Sequence, residues 1–337
     1  MKAVGYLESL SIEQEASLLD IEIEKPSPTG RDILVRVGAV SVNPVDTKVR
    51  INRNPNAGQP EVLGWDAVGE VVSVGPEVAG FQIGDVVWYA GDISRRGSNA
   101  EYQLVDERLV GHKPSSLTVA EAAALPLTSL TAYEMLFDRI DITKPVVGGA
   151  PSILVIGGAG GVGSIAIQLL ATLSDLTIIA TASRPETQSW ALEMGADYTI
   201  DHRQPLVEQF VALGLDAPSF VFSTTHSETY VDQIADLIAP QGRFGLIDDP
   251  VEMSIKPFKS KSISIHWELM FSRSLHQTRD MARQGEILNK VSELVDQGKI
   301  KSTATQTLGN INASNLRRAH ALLESGHTRG KLVLEGF

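Results

Sequence analysis

Ile153-Leu154-Val155-Ile156-Gly157-Gly158-Ala159-Gly160-Gly161-Val162-Gly163-Ser164-Ile165-Ala166-Ile167-Gln168-Leu169-Leu170 is the stretch on which the fold turns. Four apolar residues, enough for a buried strand, run directly into a glycine turn. Beyond the turn, Val162, Ile165, Ala166, Leu169 and Leu170 keep the i, i+3, i+4, i+7, i+8 spacing of one helical face. Gly158-x-Gly160-x-x-Gly163 lies between the two, and a strand before it with a helix after it is the setting this pattern requires. A tight turn, close backbone approach to a pyrophosphate and a helix N-terminus aimed at negative charge are the physical reasons for the glycines. Gly158, Gly160, Gly161, Val162 and Gly163 are therefore the candidate phosphate-binding residues. A glycine turn that binds nothing is the competing reading, and the alternating pattern that follows disfavours it.

Strand patterns recur at 177–181, 198–200, 220–223, 244–247 and 263–266, with helical patterns at 187–194, 206–213 and 230–238 between most of them. Six strands joined by crossovers predict a doubly wound parallel sheet. The second strand ends Ala180-Thr181-Ala182-Ser183-Arg184, without a carboxylate. NAD-binding folds place an acidic residue about 20 positions past the loop to accept the ribose 2′-hydroxyl. Ser183 instead offers a hydroxyl and Arg184 a charged fork suited to a 2′-phosphate, so the expected cofactor is NADP(H).

Upstream of the loop the chain reads as β-rich, with short apolar runs at 33–37, 68–74, 86–89 and 101–105 broken by Gly, Pro and Asp. Thr118 with Glu121 forms a capping-box pattern over a helix at 119–125, and a second helical pattern covers 129–137. The final residues carry helical patterns at 278–297 and 314–324 and a strand at 331–334. No internal repeat or low-complexity linker separates these parts.

At 337 residues the length suits about two domains. Hydrophobic residues at 43% and charged residues at 21% exclude global disorder. With 29 basic and 41 acidic residues the net charge is −12 and no basic run compensates it, so no nucleic-acid partner is expected. The absence of cysteine removes disulfides, thiolate catalysis and every cysteine-containing metal site. No charged residue falls between Lys144 and Asp175, but the glycines at the centre of that run make a poor membrane helix. The opening MKAVGYLESL meets Glu8 before a signal-peptide core forms, so neither membrane nor export is expected and the cytoplasm is the expected location.

Further segments carry a family resemblance: Ser41-Val42-Asn43-Pro44-Val45-Asp46, Gly64-Trp65-Asp66-Ala67-Val68-Gly69, Gly97-Ser98-Asn99-Ala100-Glu101-Tyr102, Pro126-Leu127-Thr128-Ser129-Leu130-Thr131-Ala132-Tyr133-Glu134 and Gly330-Lys331-Leu332-Val333-Leu334. In this order, with the glycine loop, they resemble the medium-chain dehydrogenase/reductases over nearly the whole chain. Within these the match is to the quinone oxidoreductase branch, and most to the zinc-type alcohol dehydrogenase-like proteins. The resemblance implies a Rossmann doubly wound sheet inserted into a GroES-like β-rich catalytic domain. The expected domains are 1–126 with 269–337 (catalytic) and 127–268 (cofactor-binding), with the active site in the cleft and a homodimer built on the edge strand that ends at His266.

The resemblance further implies that Asn43 lines the nicotinamide and substrate, with Asp46 and Arg50 behind it and Thr128 beside the nicotinamide. Ser183, Arg184 and His202 would surround the adenosine phosphate, and Lys331 would reach the cofactor from the tail. The other six histidines are expected to be surface or satisfied residues. Zinc-using relatives carry Cys where Asn43 stands and His-Glu where Trp65-Asp66 stands, so no metal site is expected. Related quinone reductases often have Tyr where Lys48 stands, which removes a tyrosine-based proton transfer at that place. No tyrosine here is followed four residues later by Lys. Without a metal or such a pair, alcohol oxidation is disfavoured and hydride transfer from NADPH to a quinone or α,β-unsaturated carbonyl is favoured. A zinc-type alcohol dehydrogenase and a non-catalytic NADPH-binding protein are the alternatives. Asn43-Pro44 also reads as a plain turn opener, Asp46 as a cap or a partner of Arg50, and Trp65 as core.

Overall fold

Strand–helix alternation after Ala150 folds as its periodicity dictates. Six parallel strands lie in the order Tyr198–Ile200, Thr177–Thr181, Ala150–Ile156, Pro218–Ser223, Arg243–Leu246, Ser264–Trp267. The order reverses beside Ala150–Ile156, the topological switch point at which such sheets bind ligands. Helices Gly161–Leu173, Pro185–Glu193, Leu206–Ala212 and Ser227–Leu237 supply crossovers. Central strands are apolar on both faces, as a sheet covered by helices requires: Ile153 to Ile156 and Phe220 to Phe222 are all buried.

This computed structural model describes residues 1–337, and the chain divides into two units, Met1–Leu130 with Phe271–Phe337, and Thr131–Met270. The borders lie four and two residues beyond those expected (130 against 126, 270 against 268).

The first unit is organised by one long strand, Asp32–Val42. It pairs antiparallel with Ala67–Val74, Tyr102–Asp106 and Lys331–Glu335. The seven-stranded sheet runs Ala304–Thr307, Lys331–Glu335, Asp32–Val42, Ala67–Val74, Val86–Tyr89, Val110–His112, with Tyr102–Asp106 off this path. Register sets what meets at its end: Leu332 stands opposite Val42, and Val40 opposite Ala67. Lys331, Asn43 and Asp66, each the next residue along, are thereby brought together.

A second, three-stranded sheet, Leu19–Glu22, Lys2–Tyr6, Glu61–Val62, has strands absent from the sequence expectation. The helical pattern expected at 129–137 is divided. An α-helix covers Pro126–Tyr133 and continues as a π-helical turn over Glu134–Arg139. The long helix expected from 278 starts at Arg283 and ends at Asp296. Thr118 and Glu121 form the expected capping box, with the Glu121 N–H donating to Thr118 Oγ1 at 3.2 Å and the Thr118 N–H to Glu121 Oε2 at 2.9 Å. No helix is long and apolar enough to cross a membrane.

Candidate functional site

The glycine loop shows which glycines serve the fold and which leave room. Gly157 has φ +83°, a left-handed conformation, and its N–H donates to Thr181 Oγ1 at 2.9 Å. A Cβ on Gly163 would stand 2.2 Å from the Gly157 carbonyl oxygen, and one on Gly158 would stand 2.7 Å from Ala180 Cβ. Those two glycines let the helix press onto the strand and loop. Gly160 is different: a Cβ there would meet nothing nearer than 3.5 Å, so the protein itself has no need of glycine at that point. Gly160 caps helix Gly161–Leu173, whose first amides, Gly161, Val162 and Gly163, have no carbonyl one turn earlier in the helix. Space beside Gly160 and donors facing a helix N-terminus fit a dinucleotide pyrophosphate.

At the end of the next strand the residues expected around the adenosine phosphate are near one another, with additional charges. Arg184 caps helix Pro185–Glu193, and its Nε lies 2.9 Å from Glu186 Oε1. Thr187 returns a hydrogen bond, Oγ1 to the Arg184 carbonyl, at 2.8 Å. Ser183 presents its carbonyl to Arg203, whose Nη2 donates at 2.6 Å and also pairs with Asp201 at 2.7 Å. Burial holds the half-buried His202 imidazole below its ordinary pKa, and the Arg203 and His226 charges act in the same direction against Asp201. Sequence reasoning missed Asp201 and Arg203. They follow the strand that pairs with Thr177–Thr181, so the search for a carboxylate needed to include the end of that neighbouring strand as well.

In the first unit the candidate catalytic residues are bound up with the protein itself. Asn43 Nδ2 donates to Asp66 Oδ2 at 2.8 Å, and Lys331 Nζ donates to Asn43 Oδ1, so both ends of the carboxamide are engaged. Asp66 Oδ1 accepts the Leu127 N–H at 2.7 Å. The Asp46 carboxylate oxygen Oδ2 accepts the Asn43 N–H at 2.7 Å and so caps helix Pro44–Asn52. Burial pushes the Asp46 carboxyl up to about 7 against that hydrogen bond. Burial also raises Asp66, opposed by the Lys331 charge and by the Leu127, Asn43 and Lys331 donors. Thr128 Oγ1 donates to the carbonyl of Leu125, the residue just before its own helix, at 3.1 Å.

Several expectations need correction. Arg50, expected together with Asp46 behind Asn43, is taken up elsewhere. Its guanidinium pairs with Glu324 at 2.5 Å and donates to the Leu10 carbonyl, because helix Pro44–Asn52 turns that face toward helix Ala313–Glu324. Lys331 is not free to reach a cofactor, since its three protons already have three buried acceptors, Val42 O, Asn43 Oδ1 and Asp66 Oδ2. Nor are all remaining histidines satisfied: His320 is fully buried and neither ring nitrogen has a hydrogen-bond partner. Its pKa is driven down to about 3 by burial and by Arg50. Trp65 is core, edge-on to Phe271 at 6.1 Å.

Comparison with known proteins sets these features in a family. Residues 29–126 match the alcohol dehydrogenase GroES-like domain, and residues 194–334 match the zinc-binding dehydrogenase domain. A zinc-type alcohol dehydrogenase-like protein of Staphylococcus epidermidis is 40% identical over 336 residues, 99% of each chain. A 2-methylene-furan-3-one reductase of Solanum lycopersicum is 29% identical over 99% of this chain and 79% of its own. Among solved structures, a Rhizobium etli protein provisionally assigned as a zinc-dependent alcohol dehydrogenase superposes with a TM-score of 0.99 at 60% identity, covering 100% of this chain and 98% of that one. These descriptions imply zinc, and the residues here do not fit it. At the positions where the family resemblance puts zinc ligands stand an amide, an indole and one carboxylate, and the amide and carboxylate oxygens already face an ammonium. No group of three or more His, Cys, Asp or Glu side chains is placed to hold a metal anywhere in the chain.

Proposed function

The chain belongs to the medium-chain dehydrogenase/reductase superfamily of oxidoreductases, and from that premise we propose that it reduces α,β-unsaturated carbonyls or quinones with NADPH and without zinc. The observation that carries the proposal is the donor set around Asn43 and Asp66, which suits an internal ammonium rather than a Lewis-acidic metal. Alcohol oxidation depends on lowering an alcohol's pKa, and the chain offers neither a fitting zinc donor set nor a tyrosine followed four residues later by lysine for it. Conjugate reduction asks less: a hydride adds to the alkene carbon remote from the carbonyl, and a proton completes the saturated product. The nicotinamide supplies the hydride when bound. Helix Gly161–Leu173 and the space beside Gly160 hold the pyrophosphate, while Ser183, Arg184, His202 and Arg203 attract the 2′-phosphate. The substrate named for the tomato relative is itself a conjugated exocyclic enone, which supports the same acceptor class.

The test is turnover: NADPH oxidation with a panel of enones and quinones should exceed NADP⁺ reduction with simple alcohols by orders of magnitude. Comparable alcohol rates sink the proposal. Engagement of Asn43, Asp46, Arg50 and Thr128 inside the first unit favours one second reading, an NADPH-binding protein without turnover. Cofactor binding with no oxidation across the panel selects it. Replacing Arg184 with Ala should weaken NADPH about 10–100-fold while leaving NADH nearly unchanged, since a charge-assisted hydrogen bond contributes on the order of 1.5–3 kcal/mol. Equal losses for both cofactors remove Arg184 as the phosphate-reading residue. A homodimer formed along the open edge of Ser264–Trp267, where Trp267 is exposed, completes the proposal, and sedimentation of a Trp267→Glu variant as a monomer tests it.

A further inference from the structure

Lys331 is the only buried lysine in the chain, and its surroundings are those of a cation site rather than of a packed aliphatic stem. Nζ lies 3.0 Å from the Val42 carbonyl oxygen and 3.0 Å from Asp66 Oδ2, and it donates to Asn43 Oδ1. Three donors thus meet three oxygens, drawn from the end of strand Asp32–Val42, the residue that follows it, and the residue preceding strand Ala67–Val74. Asn43 is fixed in one sense by the same cation. With its oxygen toward the ammonium, its Nδ2 is left to donate to Asp66, and the flipped amide would set N–H against N–H. The Asp66 carboxylate receives a donor on each oxygen, the Leu127 N–H on Oδ1 and both Asn43 Nδ2 and Lys331 Nζ on Oδ2.

We propose that the Lys331 ammonium is a built-in cation that fills the seat formed by the Val42 carbonyl, Asn43 Oδ1 and Asp66 Oδ2. It neutralises Asp66, orients Asn43 and closes the seat to a metal ion. An ammonium suits the place because it is a compact charge with three donors, and a covalently tethered cation does not dissociate. To enter, a metal would have to displace this group from both Asn43 and Asp66 and bind with no cysteine or histidine ligand. Lys331 is on this account a positioning residue, and the inference is independent of which acceptor is reduced.

A charge cycle tests it, using Lys331→Met, Asp66→Asn, the double variant and Lys331→Arg, with thermal melting and metal content as readouts. Each of the two single neutralising variants should lower the melting temperature by roughly 5–15 °C, because it leaves one buried charge alone. The double variant should recover at least half of that loss, a rescue that lost packing cannot produce. Lys331→Arg, which keeps the charge on a less suitable shape, should fall between Lys331→Met and the unmodified protein. Unmodified protein should carry no stoichiometric zinc and melt unchanged in chelator. A double variant no more stable than the worse single one overturns the proposal. So does one equivalent of zinc in the unmodified protein that Asp66→Asn removes.

Discussion

The glycine loop and the Asn43–Asp66–Lys331 cluster make an instructive pair. In the loop, Gly163 is needed by the protein and Gly160 is not, and the amides at the start of the helix point away from any carbonyl of their own. In the cluster, donors and acceptors are matched within one buried network. A binding site is marked by capacity that the fold leaves over, and a structural network by capacity that the fold uses up. Both regions attract attention by residue type and position, and only their hydrogen-bond accounting separates them.

The sharpest way to break the contrast lies inside the loop. Gly163→Ala forces a methyl against a backbone carbonyl and should destabilise the protein by about 1–3 kcal/mol or more, with loss of NADPH binding. Gly160→Ala should leave the melting temperature within about 2 °C. It should nonetheless weaken NADPH at least about tenfold in a fluorescence titration, because its methyl enters the space assigned to the pyrophosphate. Unchanged binding in Gly160→Ala would remove the phosphate from that space.

The other side of the contrast, the buried polar groups of the first unit, is sharpened by acid titration of stability. Asp46 has a raised pKa, so its contribution is full below about 4 and is lost as pH rises toward about 7. His320 has a depressed pKa, so its contribution is full above about 6.5 and is lost as pH falls toward about 3. Between about pH 4 and 6.5 the two slopes oppose, each at most about 1.4 kcal/mol per pH unit. Denaturation at several pH values should therefore show Asp46→Asn losing stability more steeply on acidification than the unmodified protein. His320→Leu should bend the other way. Parallel profiles for all three would mean that neither group is held as described.

The smallest effect belongs to the adenosine end. Glu186→Gln releases Arg184 from its surface pair and should raise NADPH affinity about two- to fivefold, the scale of an exposed ion pair. No change in the titration would show that Arg184 already meets the phosphate without competition from Glu186.

The parallel sheet was legible because most of its six strands are short apolar runs set off by helices with their own period. Leu19, Ile21 and Ile23 also alternate, yet Leu19–Glu22 is only half-buried and has acidic residues between, so its signal is faint. The π-helical turn at Glu134–Arg139 was hidden because one extra residue per turn leaves no trace in an apolar pattern. Asn43 and Asp66 could be found by motif, but their use could not. It is decided by Lys331, 265 residues beyond Asp66, and by a strand register that no local spacing encodes. Burial of His320 beside Arg50 is hidden for the same reason.

That separation also orders events in time. On a growing chain, all six strands of the parallel sheet are in place by Trp267, whereas the strand that pairs with Asp32–Val42 and brings Lys331 is made last. At roughly 5–20 residues per second, Asp66 leaves the ribosome's active centre about 15–50 s before its counter-ion exists. Through that interval the growing first unit has an unguarded strand edge and an unmatched carboxylate, so it is the part of the newborn protein for which a chaperone has most to do.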